Sequence, residues 1–275
     1  MHTKVQNKTP IWIILLCCKK GPKRLIILFS EFRKIYKQKF TFVVHIMGHK
    51  KLIRFNAINT FENVLQYPES MPGQWNEFFK NEHPMVLELA CGRGEYSVGM
   101  GRQVKDKNFI GVDVKGNRMY NGAKIALQEQ LSNVGFLRIQ IGNILNYFAR
   151  GEVDEIWIIF PDPFLRDGKA KNRLTHPKFL AMYQQLLKPG AKINLKTDSP
   201  ELFQFTIDTV QEQGCEVHVL QHDIYAKGPV AWPLSIQTYY EGLHLADQRK
   251  INFISFSLPE KPIVIPPKKK KEDGQ

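Results

Sequence analysis

The segment Phe160-Pro161-Asp162-Pro163-Phe164 sets one carboxylate between two prolines. Proline fixes φ and lacks a backbone donor, so the loop is stiff and holds its acid in place. Such an acid serves either a rigid aspartate turn or the stabilisation of positive charge. Further upstream, Leu87-Glu88-Leu89-Ala90-Cys91-Gly92-Arg93-Gly94 ends an apolar run in a Gly-rich turn. Gly92 and Gly94 allow a sharp turn and a close approach of backbone to a ligand. Asp113 closes the next apolar run, Asn108–Asp113. An acid there can accept hydrogen bonds from both ribose hydroxyls of a nucleoside. Together these residues point to a ligand that contains adenosine.

Two ligand classes meet that description. A nicotinamide dinucleotide needs a third glycine beneath its pyrophosphate. Here Gly92-x-Gly94 is followed by Glu95, Tyr96 and Ser97. Glu95 also puts a negative charge at the helix N-terminus, where a diphosphate would bind. S-adenosylmethionine carries no phosphate, and its sulfonium cation is attracted by Glu88 and Asp162.

Strands and helices must position these groups. Apolar runs at 85–90, 108–113, 135–141, 155–160, 191–196, 216–220 and 251–258 predict seven strands. Helical patterns at 95–104, 116–131, 177–187 and 200–213 fall between the first six, with little helix before the last strand. The alternation predicts an α/β fold with a doubly wound, mostly parallel seven-stranded sheet. Ligands of such sheets sit at the carboxyl ends of the strands. There lie Glu88 to Gly94, Asp113, Ile141 to Asn143, Pro161 to Asp162 and Lys196 to Asp198.

Composition agrees with a globular chain, at 43% hydrophobic and 24% charged residues. No apolar run reaches the roughly 18 residues of a membrane span. The four cysteines show no metal-ligand spacing, so no metal is expected. The net charge of +13 lies mostly at the ends. Residues 1–46 hold ten Lys and Arg against Glu31 alone, and Lys268 to Lys271 add more. Residues 1–46 read as an extension outside the fold, with Met47 as a natural start. Residues 47–262 then form the domain, and 263–275 a disordered lysine-rich tail. The loop from Arg166 to Arg173 carries four cations and suits a phosphodiester backbone.

The motifs L-E-x-x-C-G-x-G-E at 87–95, F-P-D-P-F at 160–164 and R-L-T-x-P-x-F-L at 173–180 occur in order. They continue with L-K-P-G at 187–190, K-T-D at 196–198 and T-x-Y-E at 238–241. From about residue 60 to 258 the chain resembles the tRNA (guanine-N7)-methyltransferases. That resemblance implies a Rossmann-like class I methyltransferase using S-adenosylmethionine on tRNA, at guanosine 46 of the variable loop. It further implies a cytoplasmic monomer or homodimer. By the same resemblance Glu88, Gly92, Gly94, Asp113, Asn143 and Asp162 contact the cofactor. Asp162 also stands at the methyl-transfer centre. Arg166, Asp198 and the segment Thr238, Tyr239, Tyr240, Glu241 contact the target nucleotide. Ala90 and Phe164 stand where glycine and tryptophan are common.

Guanine N7 carries a free lone pair, so its methylation needs no general base, and alignment of the reacting atoms carries most of the catalysis. Asp162 and Asp198 can then stabilise the migrating positive charge. Tyr239 and Tyr240 are suited to clamp a splayed-out base. Another S-adenosylmethionine-dependent RNA methyltransferase is the alternative reading, and a non-enzymatic RNA-binding module a more distant one.

Overall fold

Strand β2 (Met85–Leu89) is buried along its whole length, as a strand covered on both faces must be. Its neighbour β3 (Asn108–Asp113) is buried likewise. The computed structural model describes residues 51–267, and from Arg54 the chain forms one unit. The expected extension over 1–46 lies outside the described residues.

The remaining strands are β1 (Val64–Gln66), β4 (Val134–Arg138), β5 (Val153–Ile159), β6 (Leu187–Thr197), β7 (Glu216–Gln221) and β8 (Asn252–Ser257). The helices are α1 (Trp75–Phe79), α2 (Glu95–Gln103), α3 (Gly116–Gln128), α4 (Pro177–Leu186), α5 (Pro200–Gln213) and α6 (Tyr239–Ala246). The sheet runs β1-β4-β3-β2-β5-β6-β8-β7. Strands β1 to β6 pair in parallel, and β8 is antiparallel to both β6 and β7. All seven expected strands are present. The eighth, β1, is three residues long and pairs at the edge with β4. A run that short carries no readable alternation.

Alternate residues of each strand serve opposite faces. Leu87, Leu89, Ile156, Ile158, Ile193 and Leu195 pack with α4 and α5. Val86, Phe109, Phe136 and Trp157 pack with α2 and α3 on the other face. Fully burying a ring such as Phe136 contributes about 2–3 kcal/mol. Its contact with the helices depends on glycine. A Cβ on Gly94 would lie 2.4 Å from the Phe136 ring, and one on Gly122 would lie 2.4 Å from the Arg93 carbonyl. The two glycines let α3 and the Gly-rich turn close over Phe136.

From β2 the chain winds to β3 and β4 on one side, then to β5 and β6 on the other. This reversal opens a crevice at the carboxyl ends of β2 and β5. Two segments differ from expectation. Helix α6 fills part of the stretch between β7 and β8, where the sequence pattern predicts little helix. The first residues of the expected tail make contacts with the domain. Ile263 is buried, and Val264 exchanges two backbone hydrogen bonds with the Gln213 side chain. Residues 268–275 of the expected tail lie outside the described residues.

Candidate functional site

A cleft of about 1450 Å³ opens at the carboxyl ends of the central strands. Three strand-end carboxylates line it: Asp113 after β3, Asp162 after β5 and Asp198 after β6. Each is held differently.

Asp113 is nearly buried. Its Oδ2 accepts from Gly92 N at 2.9 Å and its Oδ1 from Lys115 N at 2.8 Å. The carboxylate therefore ties the Gly-rich turn to the start of α3. Each oxygen keeps a second lone pair for a ligand. Ala90, at the head of the turn, has φ +57°, a left-handed conformation that glycine adopts more cheaply.

Asp162 is exposed to the cleft. Its Oδ1 accepts from Phe164 N at 3.1 Å, closing a tight aspartate turn. Phe160 and Phe164, on either side of the Pro-Asp-Pro core, have φ of +45° and +43°. Such conformations cost on the order of 1–3 kcal/mol each and persist only where the surroundings impose them. Arg173 supplies part of that restraint. Its guanidinium donates to Pro163 O at 3.0 Å and Phe164 O at 3.3 Å and lies over the Phe205 ring. Arg173 is buried. Of the four cations expected to suit a phosphodiester backbone, only Arg166, Lys169 and Lys171 are exposed.

Asp198 accepts from Arg249 Nη1 at 2.8 Å through Oδ2, and His244 Nδ1 lies 3.3 Å from the same oxygen. Tyr240 completes this side of the cleft from α6.

Other expected site residues lie behind or beside the cleft wall. Glu88 is buried, and its Oε2 accepts from Ser97 N at 2.7 Å and Ser97 Oγ at 2.6 Å. Burial pushes its carboxyl up to about 8, against the pull of the Ser97 hydrogen bonds. Gly92 and Gly94 shape the turn at φ +55° and +72°. Asn143 is exposed, one residue beyond Gly142 on the cleft wall, and Arg166 is also exposed.

The T-x-Y-E segment divides. Thr238 and Glu241 form a capping box at the start of α6. Glu241 is fully buried, with Oε1 2.6 Å from Lys196 Nζ and 2.7 Å from the Tyr225 hydroxyl. Lys196 also donates to the Tyr96 hydroxyl at 3.0 Å and Leu234 O at 2.8 Å. Burial lowers the affinity of this ammonium for its proton, and Glu241 partly offsets that. Tyr239 and Tyr240 point the other way. Arg93 of the Gly-rich turn lies 4.0 Å over the Tyr239 ring, and Arg118 of α3 lies 5.6 Å over Tyr240. Tyr239 N also donates to Glu95 Oε1 at 3.3 Å. The start of α6 thus spans from the Gly-rich turn to α3.

A family described as "Putative methyltransferase" matches residues 82–253. A Porphyromonas gingivalis protein named tRNA (guanine-N(7)-)-methyltransferase is 48% identical over 74% of this chain and 87% of its own length. One of the same name from Christiangramia forsetii is 44% identical over 77% of this chain and all of its own. The chain belongs to the tRNA (guanine-N(7)-)-methyltransferase family. Among solved structures, the 16S rRNA methyltransferase KamB superposes with a TM-score of 0.54, over 72% of this chain and 99% of that one. At 15% identity that likeness concerns the fold.

Within this family member, sequence reading placed Asp113, Asp162, Asp198 and Tyr240 where the cleft has them. It missed His244, Arg249 and Arg118, all on the cleft wall, and the bracing role of Arg173. The T-x-x-E spacing was a readable sign of a helix start, and His244 lies one turn inside that helix. Among the described residues no group of three His, Cys, Asp or Glu is placed to hold a metal. No helix there is long and apolar enough to cross a membrane.

Proposed function

We propose that this protein transfers a methyl group from S-adenosylmethionine to N7 of guanosine 46 in the variable loop of tRNA, in the cytoplasm. The observation that carries this reading is the convergence of Asp113, Asp162 and Asp198 on one cleft at the sheet's reversal point.

The wall suits the cofactor. Asp113 has lone pairs to spare for ribose hydroxyls. Ile141, part-buried on the wall, offers an apolar face for a purine. At Gly142 nothing lies within 4 Å of a Cβ position, so backbone there is open to a close neighbour. Lys115, Arg118, Arg249 and Lys250 balance the acids of the wall, so attraction for a cation is local to the strand-end carboxylates. When bound, S-adenosylmethionine supplies a methyl group on a positively charged sulfur.

The chain's own residues then have distinct tasks. Glu88 holds the first turn of α2 through Ser97, which keeps the Gly-rich turn in shape. Asp162, fixed by its turn and by Arg173, presents negative charge where positive charge migrates to the base. No residue needs to remove a proton from N7, so alignment does most of the work. Phe164 and Tyr240 present rings on which a base can stack. Asp198 faces the acceptor side, and the exposed Arg166, Lys169 and Lys171 suit the RNA backbone.

The test is methylation of tRNA transcripts by the full chain, followed by mapping of the modified base. The expected product is 7-methylguanosine at position 46, lost in Asp162→Ala. Methyl transfer to another base, or undiminished transfer by Asp162→Ala, would reject the reading.

A further inference from the structure

His244 sits on α6 four residues after Tyr240, so both side chains share the face that lines the cleft. Its imidazole meets the Phe160 ring edge-on, with centroids 5.4 Å apart. Phe160 is the left-handed residue that opens the Pro-Asp-Pro loop. The Nδ1 atom is wholly buried and makes no aligned hydrogen bond, yet lies 3.3 Å from Asp198 Oδ2. Buried polar atoms in folded proteins rarely go without a partner. The only acid this close to it among the described residues is Asp198.

Asp198 itself is unevenly used. Oδ2 receives Arg249 and faces His244. Oδ1 has no hydrogen-bond partner among the described residues. Arg249 is half exposed, whereas the side chains of His244 and Asp198 are 18% and 17% exposed. An exposed ion pair orients its partner weakly. The imidazole packs against Phe160 and is less exposed than the Arg249 guanidinium.

We propose that His244 is a positioning residue that donates Nδ1–H to Asp198 Oδ2 and so fixes the carboxylate to read the Watson–Crick edge of guanine. This rests on the reading of the cleft as the site that receives the target base. A carboxylate only accepts hydrogen bonds. Guanine offers two adjacent donors on that edge, N1–H and the 2-amino group. Adenine offers an N1 lone pair there, which leaves a buried acceptor against an acceptor. With Oδ2 taken by Arg249 and His244, Asp198 Oδ1 keeps both of its lone pairs for the guanine pair. His244 therefore acts on base selection through Asp198, without touching the reacting atoms.

The experiment compares tRNA transcripts carrying guanosine or inosine at the target position, since inosine lacks the 2-amino donor. Binding without donor and kcat/KM with donor are both measured. The wild-type chain is expected to favour guanosine about tenfold or more, the weight of one hydrogen bond to a charged group. In His244→Phe, which keeps a ring against Phe160, that preference falls towards unity while cofactor affinity by calorimetry is unchanged. His244→Asn, whose amide donates from a similar place, restores it, whereas His244→Asp, of the same size, does not. If His244→Phe melts early, the Asn and Asp variants decide alone. Equal guanosine preference in wild type and His244→Phe, or in the Asn and Asp variants, overturns the inference. A wild-type chain that methylates neither transcript defeats the proposed function instead.

Discussion

Lys196 Nζ lies 2.6 Å from Glu241 Oε1, and neither side chain is exposed. This pair joins the end of β6 to the first turn of α6. It also links two motifs, K-T-D and T-x-Y-E, that are 40 residues apart in sequence. Their shared residues brace the helix that carries Tyr240 and His244.

Removing one partner strands a buried charge. Glu241→Ala or Lys196→Ala is expected to lower stability by about 3–5 kcal/mol, whereas an apolar pair of similar size, Lys196→Met with Glu241→Leu, is tolerated far better. Denaturant midpoints measure this. Single variants as stable as the parent would show that the pair does not hold α6.

Glu88 makes stability depend on pH. Its carboxyl ionises near the ordinary 4.5 when unfolded and near 8 when folded. Between those values the folded chain keeps a proton that the unfolded chain has lost, so stability is full below about 4.5 and falls as pH rises towards 8. Glu88→Gln removes this slope. Melting temperatures from pH 5 to 8 are expected to converge at the acid end and part at the alkaline end, with the variant the higher. A constant gap between the two curves would contradict the raised ionisation.

Arg173 braces the Pro-Asp-Pro loop through two carbonyls. Arg173→Ala should destabilise the fold by about 2–3 kcal/mol, as loss of hydrogen bonds from a charged donor does. Arg173→Lys keeps the charge but loses the planar fork, so it recovers only part. If Arg173 served RNA instead, both variants would keep the parent's melting point and differ only in tRNA binding.

Asp113 accepts from two backbone donors at once. In Asp113→Asn one end of the side chain becomes a donor and confronts Gly92 N or Lys115 N. Affinity for S-adenosylmethionine is expected to fall about tenfold or more. Calorimetric titration reads it directly, and an unchanged Kd would remove Asp113 from the cofactor site.

What the sequence made legible was local. Apolar runs mark β2, β3, β5 and β6, and Asp113, Asp162 and Asp198 lie at or just past the ends of three of them, where strand geometry brings them to the cleft. The positions of Asp113, Asp162 and Asp198 on the cleft wall were therefore legible. What depends on contacts between distant segments was not legible. Arg173 sits in a cationic run and reads as RNA-facing until its carbonyl partners are seen. Nothing in the sequence showed that Glu241 is buried beside Lys196. His244 has no motif, and its meaning comes from Asp198, 46 residues earlier. Glu88 matched a motif, yet its burial behind the Gly-rich turn depends on how α2 closes over β2.

The placement of β8 bears on how the molecule assembles during synthesis. Among the described residues β7 bonds to no strand but β8, although β8 follows it in the chain. The parallel half of the sheet, with Asp113 and Asp162, leaves the ribosome first and is composed of nearer neighbours. Domains acquire structure from the N-terminal side as they emerge, and distant pairings close last. The pairing of β8 with β6 and β7 awaits residues 252–257, so a nascent chain stalled before that point exposes the edge of β6 and a solitary β7 to aggregation.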